Sequence, residues 1–230
     1  MTKADSRSLE SRTHRSTARL LAISAVAVFG SAGTLRYWQG WTYMAMQLVS
    51  MTATNLYLLR HDRELARRRL AVDEAGEAER LHRVFFALLR IMVLGMLVVS
   101  GLDRRFAWSA VPLPVVLGGC FAFAAGTFLI FIVFRANSHA SSVIAVETEQ
   151  PVVATGPYRA VRHPMYSGAL LGALATPLAL GSYVAEAFFL PMVVLFVVRL
   201  LAEERFLAVA LRGYGEYMCR TRKRLVPGVW

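Results

Sequence analysis

The chain has 230 residues, of which 56% are hydrophobic, and its mean hydropathy of +0.46 indicates an integral membrane protein and not a soluble domain. The formal net charge of +11 would suit nucleic acid, but the basic residues lie between apolar runs, so we expect no nucleic acid and instead contact with the lipid bilayer. The two cysteines, Cys120 and Cys219, lie far apart in different environments, so we expect neither a disulfide nor a metal site.

Five apolar runs have the length of a membrane-spanning helix, which needs about 20 residues. In chain order they cover residues 18–35, 41–59, 84–101, 111–134 and 183–201. A sixth run, Met165 to Leu180, is slightly short, and it either spans the membrane or forms a tight hairpin with the last run through Gly181 and Ser182. The sequence therefore predicts an all-α, polytopic membrane bundle of about six transmembrane helices.

The distribution of Lys and Arg predicts the orientation of this bundle. Of the 26 basic residues, only Arg36, Arg104 and Arg105 fall in the loops on one side, and Arg90 falls within a span. The others fall in the two tails and in the loops of the opposite side, which the positive-inside rule assigns to the cytosol. The preference for Arg over Lys suggests a bacterial source. We therefore expect a multi-pass protein of the inner (plasma) membrane with both termini cytoplasmic.

The chain divides into two regions in this interpretation. Residues 1–134 form four membrane helices with a basic cytosolic tail and an amphipathic segment over 60–83, which reads as a helix on the headgroups. Residues 135–230 hold a long cytosolic loop, the helical hairpin and a basic C-terminal segment, of which Tyr214 to Arg224 reads as an interfacial helix with its basic residues on lipid phosphate. Arg90 either reaches back to the interface or enters a pocket.

A polar, turn-rich segment, GPYRAVRHPMY, separates two apolar runs at Gly156 to Tyr166. Its Gly-Pro pair predicts a turn, and its His163-Pro164 pair predicts a helix start, because proline at the first helical position gives up no hydrogen bond. The free backbone N–H groups of such a helix start suit a carboxylate or a phosphate. From these residues alone, a loop that merely enters a membrane helix explains the pattern equally well.

Three ionisable residues, Arg199, Glu203 and Glu204, end the last apolar run. Arg199 and Glu203 are four positions apart and share a helical face, so an ordinary intrahelical pair is one explanation, although Arg before Glu is the weaker order. Ionisable groups at membrane depth are costly and by default indicate a functional site. A hairpin would bring the bases of the last two helices together. We predict a cytosolic pocket walled by Tyr158, His163, Tyr166 and Glu203.

Three segments, GPYRAVRHPMYSG, RLLAEERFL and YGEYMCRTRKRLVPG, resemble in this order the isoprenylcysteine carboxyl methyltransferase family and related membrane phospholipid and small-thiol methyltransferases. The resemblance covers residues 137–228, and the first four spans carry no assignable motif. It implies S-adenosylmethionine as methyl donor, S-adenosylhomocysteine as product, and an all-helical membrane fold. The absence of a G-x-G-x-x-G motif agrees with that. Membrane sterol reductases, which use NADPH, share the C-terminal layout, but R-x-x-x-E-E favours the methyl donor.

The resemblance also implies site residues. The residue that would contact the substrate, and that we count as catalytic, is Arg199. His163 reads as a helix cap whose backbone touches the cofactor, with a role as general base as the alternative. The residues that would bind the cofactor are Gln150, Pro151, Val152, Val153, Tyr158, His163, Pro164, Met165, Tyr166 and Glu203.

The leading hypothesis is an S-adenosylmethionine-dependent methyltransferase that acts on a lipophilic small-molecule or lipidated acceptor entering from the bilayer. A carboxylate acceptor, as in isoprenylcysteine carboxyl methylation, fits first because it needs no general base. A lipid amine or a small thiol is the alternative. A non-catalytic transporter or scaffold is the hypothesis from another class, although the lack of paired interrupted helices argues against a transporter. The sequence indicates no oligomeric state.

Overall fold

The computed structural model describes residues 3–70, 80–139, 151–228 and 230. The longer elements in these ranges are α-helices, as the sequence predicts, and short π-helical or 3₁₀ turns occupy Val26–Gly30, Gly156–Arg159 and Val184–Phe188. In chain order the α-helices are α1 (Lys3–Ala25), α2 (Trp38–His61), α3 (Arg63–Leu70), α4 (Arg80–Phe106), α5 (Leu113–Ala136), α6 (Pro164–Leu180), α7 (Phe189–Ala210) and α8 (Tyr214–Arg220).

Three helical segments of the described chain are long and apolar enough to cross a membrane: Arg83–Phe106, Leu113–Ala136 and Val184–Ala210. They correspond to the third, fourth and last of the predicted spans. Pro164–Leu180 is apolar but shorter, as the sequence indicates. The first apolar run is shared between the polar helix α1 and the π-helical turn after it. The count of six spans therefore stays a prediction.

Helices α5 and α6 pack with their backbones in close approach. A Cβ atom on Gly126 would lie 2.7 Å from the carbonyl oxygen of Gly168, and one on Gly119 would lie 2.6 Å from the backbone nitrogen of Ala179. Small residues at such positions let two membrane helices approach without intervening side chains. This contact fixes the position of α6, at whose first turn the polar segment ends.

The turn between α6 and the last span is held by a buried carboxylate. Gly181 ends α6 in the left-handed conformation, with φ of 74°. The hydroxyls of Ser182 and Ser109 donate to Asp103 Oδ2 at 2.5 and 2.6 Å, and the Asp103 side chain is buried. The hairpin is therefore tied to the end of α4, at the end of the bundle opposite the start of α6.

Several segment bounds differ from the sequence interpretation. The segment over 60–83 is not one helix, because Asp62 leaves the helical conformation and its Oδ1 accepts from the backbone N–H of Leu65, which caps α3. Residues 71–79 of this segment lie outside the described residues. The last span continues to Ala210 instead of ending at Leu201, since the intervening residues are good helix formers.

Candidate active site

A cavity of about 300 Å³ lies where α6 begins and α7 ends, a size within the range of about 300–1,000 Å³ typical of ligand pockets. Of the candidate site residues, Gln150 lies outside the described residues. The structure brings the others to the wall of this one cavity, although their roles stay predictions. They are Pro151, Val152, Val153, Tyr158, His163, Pro164, Met165, Tyr166, Arg199 and Glu203.

The centre of the site joins α6 to α7. The hydroxyl of Tyr166, in the first turn of α6, donates to Glu203 Oε2 at 2.5 Å. Arg199 lies one turn earlier on α7, where it is buried with its guanidinium carbon 5.3 Å from the centre of the Phe85 ring. Arg199, Glu203 and Tyr166 all line the cavity. One acidic and one basic group on the same helical face thus border the cavity together with this phenol.

Glu204, the second acidic residue of the pair, has a different set of partners. Its Oε1 accepts from Arg162 Nε at 2.6 Å, and its Oε2 accepts from Arg224 Nε at 2.9 Å. The side chains of Glu204 and Arg162 are each 7% exposed. Sequence analysis assigned Glu204 no partner, because its partners lie far along the chain. This carboxylate holds the turn before α6 against the C-terminal segment.

The C-terminal segment runs along the start of α6. The carbonyl oxygens of Lys223 and Arg224 accept from the backbone N–H groups of Arg162 and His163, each at 2.9 Å. The expectation of an interfacial helix from Tyr214 to Arg224 is therefore corrected, because α8 ends at Arg220 and the chain then turns back. Arg224 pairs with a buried carboxylate instead of lipid phosphate.

His163 caps α6 through its backbone, since its carbonyl oxygen accepts from the N–H of Ser167 at 3.1 Å. Its imidazole stacks on the Tyr166 ring, with 5.6 Å between ring centres, and its Nε2 lies 3.3 Å from Glu204 Oε1. Because a carboxylate only accepts hydrogen bonds, Nε2 carries a proton in this contact. The imidazole is thus fixed in orientation by Glu204 and borders the cavity.

Two tyrosines position the turn before α6. The hydroxyl of Tyr158 accepts from Asn137 Nδ2 at 3.0 Å, and the Tyr158 carbonyl oxygen accepts from the Tyr217 hydroxyl at 2.9 Å. Burial raises the pKa of Tyr158 to about 12 and that of Tyr217 to about 12. Both phenols are therefore neutral at physiological pH. Tyr158 keeps a hydroxyl proton that it can donate to a ligand.

Tyr214, which begins α8, is a cavity residue that sequence analysis did not assign to the site. Its side chain is buried, and its hydroxyl has no hydrogen-bond partner among the residues that the structure describes. Burial raises the pKa of this phenol, so it stays a neutral donor. A buried hydroxyl without a partner costs about 1–3 kcal/mol. This cost would be removed by a ligand in the cavity.

Comparison with known proteins bears on the same part of the chain. Residues 115–215 match the family model PEMT, phospholipid methyltransferase. The match contains the described cavity residues from Pro151 to Tyr214, but neither α1 to α4 nor the C-terminal segment. The match indicates a membrane methyltransferase domain. It agrees with the methyltransferase activity that the sequence motifs imply, but it does not specify the acceptor. A search of curated proteins finds no match. A carboxylate as acceptor remains a prediction.

Proposed function

We propose that this protein is an integral membrane enzyme that transfers a methyl group from S-adenosylmethionine to a lipophilic acceptor. The observation that carries the proposal is the hydrogen bond between Tyr166 and Glu203 inside a cavity lined by the other described candidate residues. The match of residues 115–215 to phospholipid methyltransferases supports methyl transfer as the reaction. The apolar helices on both sides of the cavity support an acceptor that comes from the bilayer.

The cavity residues fit S-adenosylmethionine in charge and hydrogen-bonding capacity. A sulfonium cation suits the ring faces of Tyr158 and Tyr166 and the carboxylate of Glu203. The carboxylate of the donor suits the first turn of α6, whose leading N–H groups have no partner within the helix. The unpartnered hydroxyl of Tyr214 offers one more hydrogen bond. We therefore assign these residues to cofactor binding, with Val152 and Val153 as apolar contacts.

Bound S-adenosylmethionine supplies an electrophilic methyl carbon, whose bond to sulfur breaks as the acceptor atom bonds to it. The residues of the chain hold the reacting groups in line. Tyr166 fixes the carboxylate of Glu203, and the guanidinium of Arg199 matches the geometry of an acceptor carboxylate. Alignment of the reacting groups, with exclusion of water once the ligands fill the cavity, supplies much of the acceleration. A carboxylate acceptor needs no general base, so no proton has to move.

A lipid amine is the second candidate acceptor, and the description of the matching family as phospholipid methyltransferase favours it. An ammonium group must lose a proton before it reacts. Glu203, His163 and His139 are the groups on the cavity wall that could take this proton. The two candidates therefore differ in the chemical bond of the product, which is an ester for a carboxylate and an N-methyl group for an amine.

The test is to incubate membranes containing the protein with donor labelled in its methyl group and to extract the lipids. We expect label in the lipid fraction with the wild type and at least about tenfold less with Glu203→Gln. Treatment with alkali releases label as volatile methanol from an ester and leaves it in place on an amine. Equal labelling with the variant, or none with the wild type, would contradict the proposal.

The proposed orientation places the cavity on the cytosolic side of the plasma membrane, supported by the distribution of Lys and Arg. Cys219, which is exposed on α8 close to the cavity, provides a test. A membrane-impermeant maleimide should label it in inverted vesicles and not in intact cells. Labelling of Cys219 in intact cells would show that the protein has the opposite orientation.

A further inference from the structure

A second cavity, of about 170 Å³, lies between α1, α2 and α3. Its lining combines hydroxyl and amide groups with apolar side chains. The Asn55 amide donates to the Thr17 hydroxyl oxygen at 2.8 Å, and the hydroxyls of Thr13 and Thr17 donate to backbone carbonyls one turn earlier. These hydroxyl oxygens are acceptors as well. This region belongs to helices α1 to α4, to which neither the sequence motifs nor the family match assigns a role.

Arg69, near the end of α3, is the residue that lines both cavities. Its guanidinium carbon lies 4.1 Å from the centre of the Phe134 ring, which holds the group in place by a cation–π contact. The side chain keeps accessible surface, and it borders the two cavities. At neutral pH Arg69 is thus a cation held between the two cavities.

The charge of Arg69 has no carboxylate partner among the described residues, in contrast to its neighbours on α3. Arg67 and Arg68 both pair with Glu64, at 3.8 and 3.4 Å. A guanidinium is stabilised by an oxyanion, and its planar fork matches phosphate and carboxylate oxygens. Such a group at the junction of two cavities is suited to an anion that enters one cavity and extends towards the other.

We propose that Arg69 binds an anionic oxyacid group, a phosphate or a carboxylate other than the group that receives the methyl, of an amphiphilic acceptor whose headgroup extends from the first cavity into the second. This inference rests on the proposed function, since the first cavity is then the place of methyl transfer. The hydroxyl and amide groups around Thr17 and Asn55 form hydrogen bonds with the rest of the headgroup, as donors and as acceptors. The N-terminal helices thereby determine which acceptors are recognised, while α6 and α7 hold the methyl donor.

The test measures binding, not turnover, by calorimetry on protein purified in a neutral maltoside detergent. The probes are dihexanoyl phosphatidic acid, inorganic phosphate and the uncharged dihexanoylglycerol. We expect saturable binding of dihexanoyl phosphatidic acid, roughly ten- to a hundredfold weaker in Arg69→Gln. Arg68→Gln is the matched control, because Arg68 lies on the same helix but lines neither cavity, and it should change affinity by no more than about twofold.

Three results would overturn the inference: equal binding of the uncharged amphiphile, an equal loss in both Arg variants, or inorganic phosphate binding as tightly as the amphiphiles. S-adenosylhomocysteine should bind Arg69→Gln as it binds the wild type, which also shows that the variant folds. If Arg69→Gln does not fold, Ser16→Leu, which narrows the second cavity, should weaken amphiphile binding alone. Amphiphile binding that depends on Arg69 without any binding of S-adenosylhomocysteine would refute the proposed methyl transfer and leave the anion site standing.

Discussion

Glu203 and Glu204 are adjacent on α7, yet they have different partners. Glu203 accepts a hydrogen bond from the Tyr166 hydroxyl at the cavity, whereas Glu204 accepts hydrogen bonds from Arg162 and Arg224. Successive residues of a helix point about 100° apart, so one dipeptide serves two environments. The first carboxylate is free to meet a ligand on the cavity side. The second holds the turn before α6 and the C-terminal segment in place.

Glu204→Gln should destabilise the protein by about 3–5 kcal/mol, because it removes the charge that compensates the buried Arg162 and its neighbour Arg224. Thermal unfolding in detergent measures this loss. Glu216→Gln is the control, since Glu216 pairs with Arg220 on the surface, where both side chains are about 80% exposed. That variant should lose at most about 1 kcal/mol. Similar stability of the two variants would show that the Glu204 network does not hold the fold.

Tyr214→Phe and Tyr217→Phe should have opposite effects. Removing the unpartnered hydroxyl of Tyr214 should leave the stability of the free protein unchanged or raise it by about 1 kcal/mol, and should weaken S-adenosylhomocysteine binding about fivefold or more. Removing the Tyr217 hydroxyl deletes its hydrogen bond to Tyr158 and should cost about 1 kcal/mol. Unchanged affinity in Tyr214→Phe would exclude this hydroxyl from the cofactor site.

The stability of the protein should fall in alkali through Tyr158 and Tyr217. Burial raises the pKa of each phenol from 10.0 to about 12 in the folded state. The unfolded chain therefore releases these protons first, so their contribution is complete below pH 10 and is lost as the pH rises from 10 towards 12. The melting temperature of the double Phe variant, followed from pH 9 to 12, should decline less steeply than that of the wild type. An equally steep decline of the melting temperature in the wild type and the variant would show that these two tyrosines do not cause the loss of stability in alkali.

Gly168→Ala should destabilise the contact between α5 and α6 by about 1–3 kcal/mol. The new methyl group would lie 2.8 Å from the Gly126 carbonyl oxygen and 2.9 Å from Ile130 Cγ1. Gly172→Ala is the matched control on the same helix, because no atom beyond its chain neighbours and the surrounding helical backbone lies within 4 Å of its added methyl group. The control should be as stable as the wild type or more stable by up to about 1 kcal/mol. Equal destabilisation of both variants would show that close packing at Gly168 is unimportant.

The start of α6 could be predicted because its signals are local. The pair His163-Pro164 marks the first helical position, and the helix begins at Pro164. The proximity of Tyr166 and Glu203 could be predicted because a hairpin of two apolar runs brings their bases together, although the hydrogen bond between them could not. The all-helical class followed from the length and composition of the apolar runs.

The contacts of Glu204 and Arg69 could not be predicted, because they depend on segments far apart in the sequence. Arg162 and Arg224 reach Glu204 only after the C-terminal segment turns back along α6. Arg69 lies in a stretch rich in Arg and Glu that reads as a surface helix, and its place between two cavities arises from the packing of α3 against Phe134. Such positions carry no periodicity or motif of their own.

The most direct test of the central claim is calorimetric titration of the purified, monodisperse protein with S-adenosylhomocysteine. The wild type should bind it saturably, Glu203→Gln should bind it at least about tenfold more weakly, and Arg199→Ala should bind it normally while losing methyl transfer. An absence of saturable binding to the wild type, or an unchanged affinity in Glu203→Gln, would contradict the assignment of this cavity to a methyl donor.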